Sequence, residues 1–138
     1  MPKIDFYVLS DNNRLPFACK LIEKAYKQRH RIYIHTDNKP EAHQLDELLW
    51  TYRDDSFLPH NIYGDGPEPA PPIQIGINTT PEKHHDILIN LSPQVPEFYV
   101  QFNRILELVS NETDVQQAAR ERYRYYQTQG ATINTHKL

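Results

Sequence analysis

Residues 4–49, IDFYVLSDNNRLPFACKLIEKAYKQRHRIYIHTDNKPEAHQLDELL, decide the fold. Residues 4–9 are an apolar run rich in strand formers, and Ser10-Asp11-Asn12-Asn13 follows as a turn and helix-start signal. Leu15, Ala18, Cys19, Ile22, Ala25 and Tyr26 then recur at helical spacing, with Pro16 tolerated in the first turn. Residues 31–35 read as a second short strand. Thr36-Asp37-Asn38 with Pro40 and Glu41 supplies the cap and first turn of another helix, whose buried side is Ala42, Leu45, Leu48 and Leu49. Strand, helix, strand, helix implies two parallel strands in an α/β sheet, joined by a right-handed crossover.

Beyond this opening, residues 63–72 are dense in glycine and proline and read as an exposed irregular connector. Residues 73–77 and 87–91 are two more apolar strands. The segment between them is too short for a crossover helix, so they are expected to be antiparallel or not adjacent. Phe98, Phe102, Ile105, Leu106 and Val109 fit a third helix or a helix running into a strand. Thr113-Asp114-Val115-Gln116 has the form of a capping box, with Thr113 at the N-cap, opening a helix to about residue 129 before Gly130. The expected core includes Ile4, Phe6, Val8, Ile22, Ile32, Ile34, Ile75, Ile87 and Ile89.

A chain of 138 residues, 38% hydrophobic and 24% charged, is expected to fold as a single domain over 1–138 without disulfides or metals. One cysteine, Cys19, excludes an internal disulfide and fits a reducing cytoplasm. The opening residues lack a basic region followed by a long apolar stretch, and no apolar run reaches membrane-spanning length, so neither secretion nor a membrane partner is expected. A net charge of −3 argues against broad neutralisation of phosphates, so no direct DNA binding is expected.

Catalytic readings are thin. Residues 10–14, which join the first strand to the first helix, contain no glycine, and the chain has only Gly64, Gly66, Gly76 and Gly130. Neither a dinucleotide fingerprint nor a phosphate-binding loop can be built, and no cofactor is expected. His84-His85-Asp86 alternates faces on entering a strand, so no metal is expected. Ser56 and His60 with Asp54 or Asp55 have the residue types of a hydrolase triad but no nucleophile elbow. A small-ligand-binding α/β enzyme stays as the alternative; it would expose a concave pocket with convergent polar groups at the carboxyl ends of the parallel strands.

Two segments stand above this background. In the first, Trp50 ends the second helix and Phe57 lies in a polar stretch beside Pro59 and His60; each aromatic is either core or an exposed anchor for a partner. In the second, Gln116, Arg120, Tyr123, Arg124 and Gln127 share one stripe of the last helix, opposite Val115, Ala118, Ala119 and Tyr126. From Asp114 to Gln127 three arginines stand against Asp114 and Glu121, and this face is either merely solvated or suited to an acidic peptide.

Leu45-Asp46-Glu47 with Leu49-Trp50, then Ser56-Phe57-Leu58-Pro59-His60-Asn61, then Ala119-Arg120-Glu121-Arg122-Tyr123, resembles the DNA polymerase III chi subunit family. The likeness runs from Phe6-Tyr7-Val8-Leu9 through Asp86-Ile87-Leu88-Ile89-Asn90-Leu91 to Asn134-Thr135, nearly the whole chain. It implies a Rossmann-like, three-layer α/β protein with a mostly parallel sheet, no enzymatic activity, and a place in the clamp-loader assembly of the replicase. It further implies that one surface takes the acidic C-terminal tail of single-stranded DNA-binding protein and another takes the small psi subunit or a local counterpart. By match of motif Arg120, Tyr123, Arg124, Gln116 and Val109 fall on the tail side, and Phe57, Trp50, Pro59 and His60 on the psi side. The chain departs from the family pattern at Gln116, where a lysine can stand, and at Gln28-Arg29-His30, where a glycine often ends the first helix.

Overall fold

A computed structural model describes residues 2–52, 57–64, 66, 69–82 and 86–138. In chain order the elements are β1 (Lys3–Val8), α1 (Arg14–Lys27), β2 (Ile32–Thr36), α2 (Lys39–Thr51), β3 (His60–Ile62), β4 (Ile73–Ile77) and β5 (Ile87–Asn90). A 3-10 turn (Glu97–Gln101), β6 (Arg104–Val109), α3 (Thr113–Thr128) and β7 (Thr132–Lys137) complete them. The strands form one seven-stranded sheet in the order β3-β4-β2-β5-β6-β1-β7, and every pairing is parallel. Among the described residues no helix is long and apolar enough to cross a membrane.

Strand periodicity of two sorts the apolar side chains onto two faces. Ile32, Ile34, Ile75, Ile87, Ile89, Leu106 and Leu108 point to one face and are covered by Ala18, Cys19 and Ile22 of α1 and by Ala42, Leu45 and Leu49 of α2. Ile4, Phe6, Tyr33, Leu88, Ile105 and Val109 point to the other, beneath Ala119 and Tyr126 of α3 and Phe98 and Phe102 around the 3-10 turn. The result is the expected three-layer α/β architecture. Val8 is the one residue of the expected core left half-buried, because it lies at the carboxyl end of β1 where α3 no longer covers the sheet closely.

The two opening strands are parallel as expected, but β6 and β5 lie between them. Of the two arrangements open for β4 and β5, the structure shows the second: they are not adjacent, and β2 separates them. The apolar pattern from Phe98 to Val109 resolves into the 3-10 turn running into β6. The sequence showed neither β3, which has three residues, nor β7, which has a single apolar residue, Ile133. Backbone pairing to β4 and β1 makes them strands.

At β7 that pairing is reinforced by Asp5 of β1, 2% exposed, which receives Arg104 Nε at 2.8 Å and faces His136 Nε2 at 3.0 Å. Burial pushes the Asp5 carboxyl up, but hydrogen bonds and charge from His136 and Arg104 outweigh it and hold the group below its ordinary value. Tyr33, fully buried on β2, lies across Gly76 of β4; a Cβ there would fall 1.6 Å from its hydroxyl oxygen, so the position admits only glycine.

The capping box expected at Thr113 is corrected. The N-cap is Glu112, in extended conformation, and its carbonyl accepts the Gln116 N–H at 3.0 Å. The chain leaves β6 tied by Asn111 N–H to the Asp11 carbonyl, which starts the helix one residue earlier and leaves the Thr113 side chain no capping role. At the other end Gly130, with φ of 77°, closes α3 through Gly130 N–H to Gln127 and Ala131 N–H to Tyr126.

Helix α1 ends in the same pattern, with Arg29 N–H to Tyr26 and His30 N–H to Ala25, but the left-handed position is held by Arg29 at φ 67°. A Cβ is costly there by about 1–2 kcal/mol, and the extra freedom of glycine in the unfolded chain returns part of that gain. Arg29→Gly is therefore expected to stabilise the protein by about 0.5–1 kcal/mol in urea unfolding. Unchanged or reduced stability would show that the Arg29 side chain holds the cap by other means.

Candidate functional site

Helix α3 carries its buried residues, Ala119, Arg122 and Tyr126, at spacings of three and four, so they form one inward stripe. The inward arginine is the surprise. Glu107, 0% exposed in β6, receives Arg122 Nε at 3.0 Å, the Tyr126 hydroxyl at 2.7 Å and Asn90 Nδ2 of β5 at 3.0 Å. Arg122 also donates to the Pro93 carbonyl at 3.2 Å. Burial first, then the charge of Glu107 and its hydrogen bond, pushes the Tyr126 phenol above its ordinary range, so it stays a donor. Arg122 thus leaves the basic face in which the sequence counted it, because its charge is matched inside the protein.

With that stripe fixed inward, Arg120, Arg124 and Gln127 are exposed and Gln116 and Tyr123 sit at the flank, half-buried. All five, with Val109, line one groove of about 560 Å³ between α3 and the carboxyl ends of β6, β1 and β7. Its floor is apolar: Phe6 and Val8 of β1, Val109 of β6, and Ala119, whose small side chain leaves the space open. The Tyr123 ring packs 5.4 Å from Phe6 and forms one wall. Arg120 and Arg124, joined by Lys137 of β7, supply a basic rim. The structure therefore brings together every residue expected on the tail side and adds Phe6, Val8, Thr135 and Lys137. Those four come from opposite ends of the chain, and only the sheet order, which places β1 between β6 and β7, makes them neighbours.

A second exposed feature lies at the far edge of the sheet. Trp50, at the end of α2, is 52% exposed and Phe57 69% exposed, with ring centroids 5.8 Å apart. Of the two readings open for these aromatics, core placement is excluded for both. Their neighbours take the interior: Leu58 is buried in the main cluster, and the His60 ring is buried 4.2 Å from Trp50. His60 Nδ1 lies 2.6 Å from the Leu58 carbonyl and Nε2 3.0 Å from that of Asp46, so it props the Trp50 ring rather than facing outward. Pro59 is half-buried between them.

The same contacts bury the His60 ring against the chain, with Nε2 also 3.2 Å from the Asp46 carboxylate, while Asp54, Asp55 and Ser56 lie outside the described residues. His84 and His85 also lie outside them; Asp86 accepts the Arg31 N–H at 2.9 Å, a structural tie between strand starts. Among the described residues no group of three or more metal-ligating side chains converges. Burial pushes the Cys19 thiol up to about 12, so it is no nucleophile. Where a dinucleotide fold would hold phosphate, Arg14 at the start of α1 is paired to Glu41 at 2.6 Å and donates to the Leu91 carbonyl. Glu41 is in turn bound by Thr36 Oγ1 at 2.7 Å, so a carboxylate occupies the position.

Comparison with known proteins agrees with the sequence resemblance. Residues 1–134 match the family model described as DNA polymerase III chi subunit, HolC. The DNA polymerase III subunit chi of Pseudomonas aeruginosa is 37% identical, over 100% of this chain and 98% of its own. That of Escherichia coli is 30% identical, over 98% of this chain and 97% of its own.

The buried ion pair sets the orientation of the groove helix, and its energetics are testable. Glu107→Gln leaves Arg122 as an unmatched buried charge and is expected to cost about 3–5 kcal/mol in urea unfolding. Adding Arg122→Met removes that charge and should recover a large part of the loss, since the glutamine carbonyl still accepts from Tyr126. Simple additivity of the two single variants would mean that the pair does not act as a unit.

Proposed function

Since the chain belongs to the DNA polymerase III chi subunit family, we propose that it is a non-catalytic accessory subunit of the replicase, acting in the cytoplasm as one adaptor domain over 1–138 within the clamp-loader assembly. It links the polymerase to single-stranded DNA-binding protein and leaves contact with DNA to its partners. The observation that carries this reading is the α3 groove, an apolar floor inside a rim of Arg120, Arg124 and Lys137. An acidic peptide ending in an apolar residue is complementary to it: the terminal side chain enters over Phe6, Val8 and Val109, and the carboxylates meet the arginines. Arginine can grip a carboxylate through two parallel hydrogen bonds, and Tyr123 offers an apolar wall beside it.

The Trp50–Phe57 pair supports a second contact, to the psi subunit or a local counterpart. Exposed aromatics at a protein surface are suited to act as anchors, and the buried His60 holds the Trp50 ring in place. The aromatic pair lies by β3 at one edge of the seven-stranded sheet, and the groove opens over β6, β1 and β7, four to six strand spacings away, on the order of 20–30 Å. Both partners can therefore be held at once.

Titration with a peptide of the acidic tail tests the first contact. Arg120→Ala should weaken binding about tenfold or more, a loss of roughly 1.5–3 kcal/mol for a sheltered charge-assisted hydrogen bond, and Tyr123→Ala should weaken it as well. Binding should also fall from about 50 to 300 mM salt while an apolar part persists. Equal binding by wild type and both variants, each shown to be folded by circular dichroism, would place the tail elsewhere.

For the second contact, Phe57→Ala should leave the unfolding midpoint unchanged and abolish co-purification with psi, since a central aromatic anchor contributes about 2 kcal/mol or more. Retained binding would remove Phe57 from the interface.

A further inference from the structure

The strands β2 and β5 lie side by side at the centre of the sheet, yet their chains leave it in opposite directions: β2 leads to α2 on one face, and β5 leads to the 3-10 turn on the other. The carboxyl ends of such a strand pair open a crevice, the usual place for a ligand in an open α/β sheet. Here the crevice measures about 480 Å³. It is separate from the α3 groove, and the two share no lining residue.

Its chemistry is that of acceptors. His35, the last but one residue of β2, lies on the crevice floor, 5% exposed, and its Nδ1 is buried with no hydrogen-bond partner among the described residues. Burial lowers the pKa of the ring against the opposing charge of Asp37, so the imidazole is neutral and one nitrogen is an acceptor. At the mouth stand the carboxylates of Asp37 and Glu97, both exposed, and no lysine or arginine is among the described residues of the lining. The Ser92 hydroxyl cannot serve a ligand freely, because it is held by Asn90 Oδ1 at 2.9 Å and the Gln94 carbonyl at 2.6 Å. Pro96 and Phe98, whose ring stands edge-on 5.3 Å from His35, make one wall apolar.

A phosphate or other anion would meet two carboxylates and no compensating cation in this crevice. A ligand that brings hydrogen-bond donors, positive charge and a short apolar stem meets complementary groups at each position. We propose that the crevice between the carboxyl ends of β2 and β5 binds a small organic cation, a guanidinium or primary amine, with its stem on Phe98 and its charged head between Asp37 and Glu97. His35 beneath them takes a hydrogen bond from the head. This inference does not depend on the tail-binding reading of the groove, since it uses no groove residue.

The test is a titration of the full chain with agmatine, followed through the amide and imidazole resonances, with inorganic phosphate as the opposing probe. Agmatine should shift the His35 and Phe98 signals saturably. The double variant Asp37→Asn/Glu97→Gln should weaken this about tenfold. Both substitutions are at exposed positions, and retained signal dispersion elsewhere shows that the variant is folded. Arg120→Ala should leave agmatine binding unchanged. The proposal is overturned if agmatine shifts do not saturate, if they persist unaltered in the double variant, if they map outside the crevice, or if phosphate produces the same shifts.

Discussion

The groove helix depends on one carboxylate. Glu107 sits in a strand with β5 on one side and β1 on the other, and it is fully buried. A charge in that position is tolerable only with its acceptor sites filled, and Arg122, Tyr126 and Asn90 fill them. Two of the three donors are on α3, one turn apart, so the carboxylate sets both the height of the helix over the sheet and its rotation about its own axis. The third, Asn90, shares Oε2 with Tyr126 and ties the carboxylate to β5. With these constraints met, Arg120 and Arg124 have one direction left to them, outward over the carboxyl ends of β1 and β6.

The two exposed surfaces follow from the strand order. The sheet ends in β3 on one side and β7 on the other; the aromatic pair lies by the first, and the basic groove opens over β6, β1 and β7 toward the second. The edges themselves are protected in different ways. β3 is only three residues long, and β7 carries Asn134, His136 and Lys137, polar and charged groups that discourage pairing with a further strand. Lys137 serves both purposes, guarding the edge and completing the basic rim.

What the sequence made legible divides along the same lines. Strands β1, β2, β4 and β5 and all three α-helices were readable because their apolar residues are buried by local pattern: runs for the strands, spacings of three and four for the helices. β3 and β7 were not, because a strand at a sheet edge owes its existence to a distant partner and needs little hydrophobicity of its own. The rim of the groove was readable from α3 alone, whereas its floor came from Phe6, Val8 and Lys137, whose proximity is a product of topology. Trp50 and Phe57 were ambiguous until the structure showed Leu58 and His60 taking the inward positions between and beside them.

Arg122 is the instructive error, and it bears on why a buried ion pair is present at all. Sequence charge alone put this arginine with Arg120 and Arg124, since nothing near it signals that Glu107, inside the apolar pattern of β6, points at the same face of the sheet. An apolar pair at these positions could pack α3 at least as tightly, because the desolvation of two charges offsets most of their attraction. An apolar stripe, however, is tolerant of small rotations, and a rotation by one residue, about 100°, would carry Arg120 and Arg124 away from the groove and bring Glu121 toward it. The pair between Glu107 and Arg122 is satisfied in one orientation only. In this fold, the internal charge contributes direction rather than stability, and the direction it sets is that of the external charges on which binding at the groove depends.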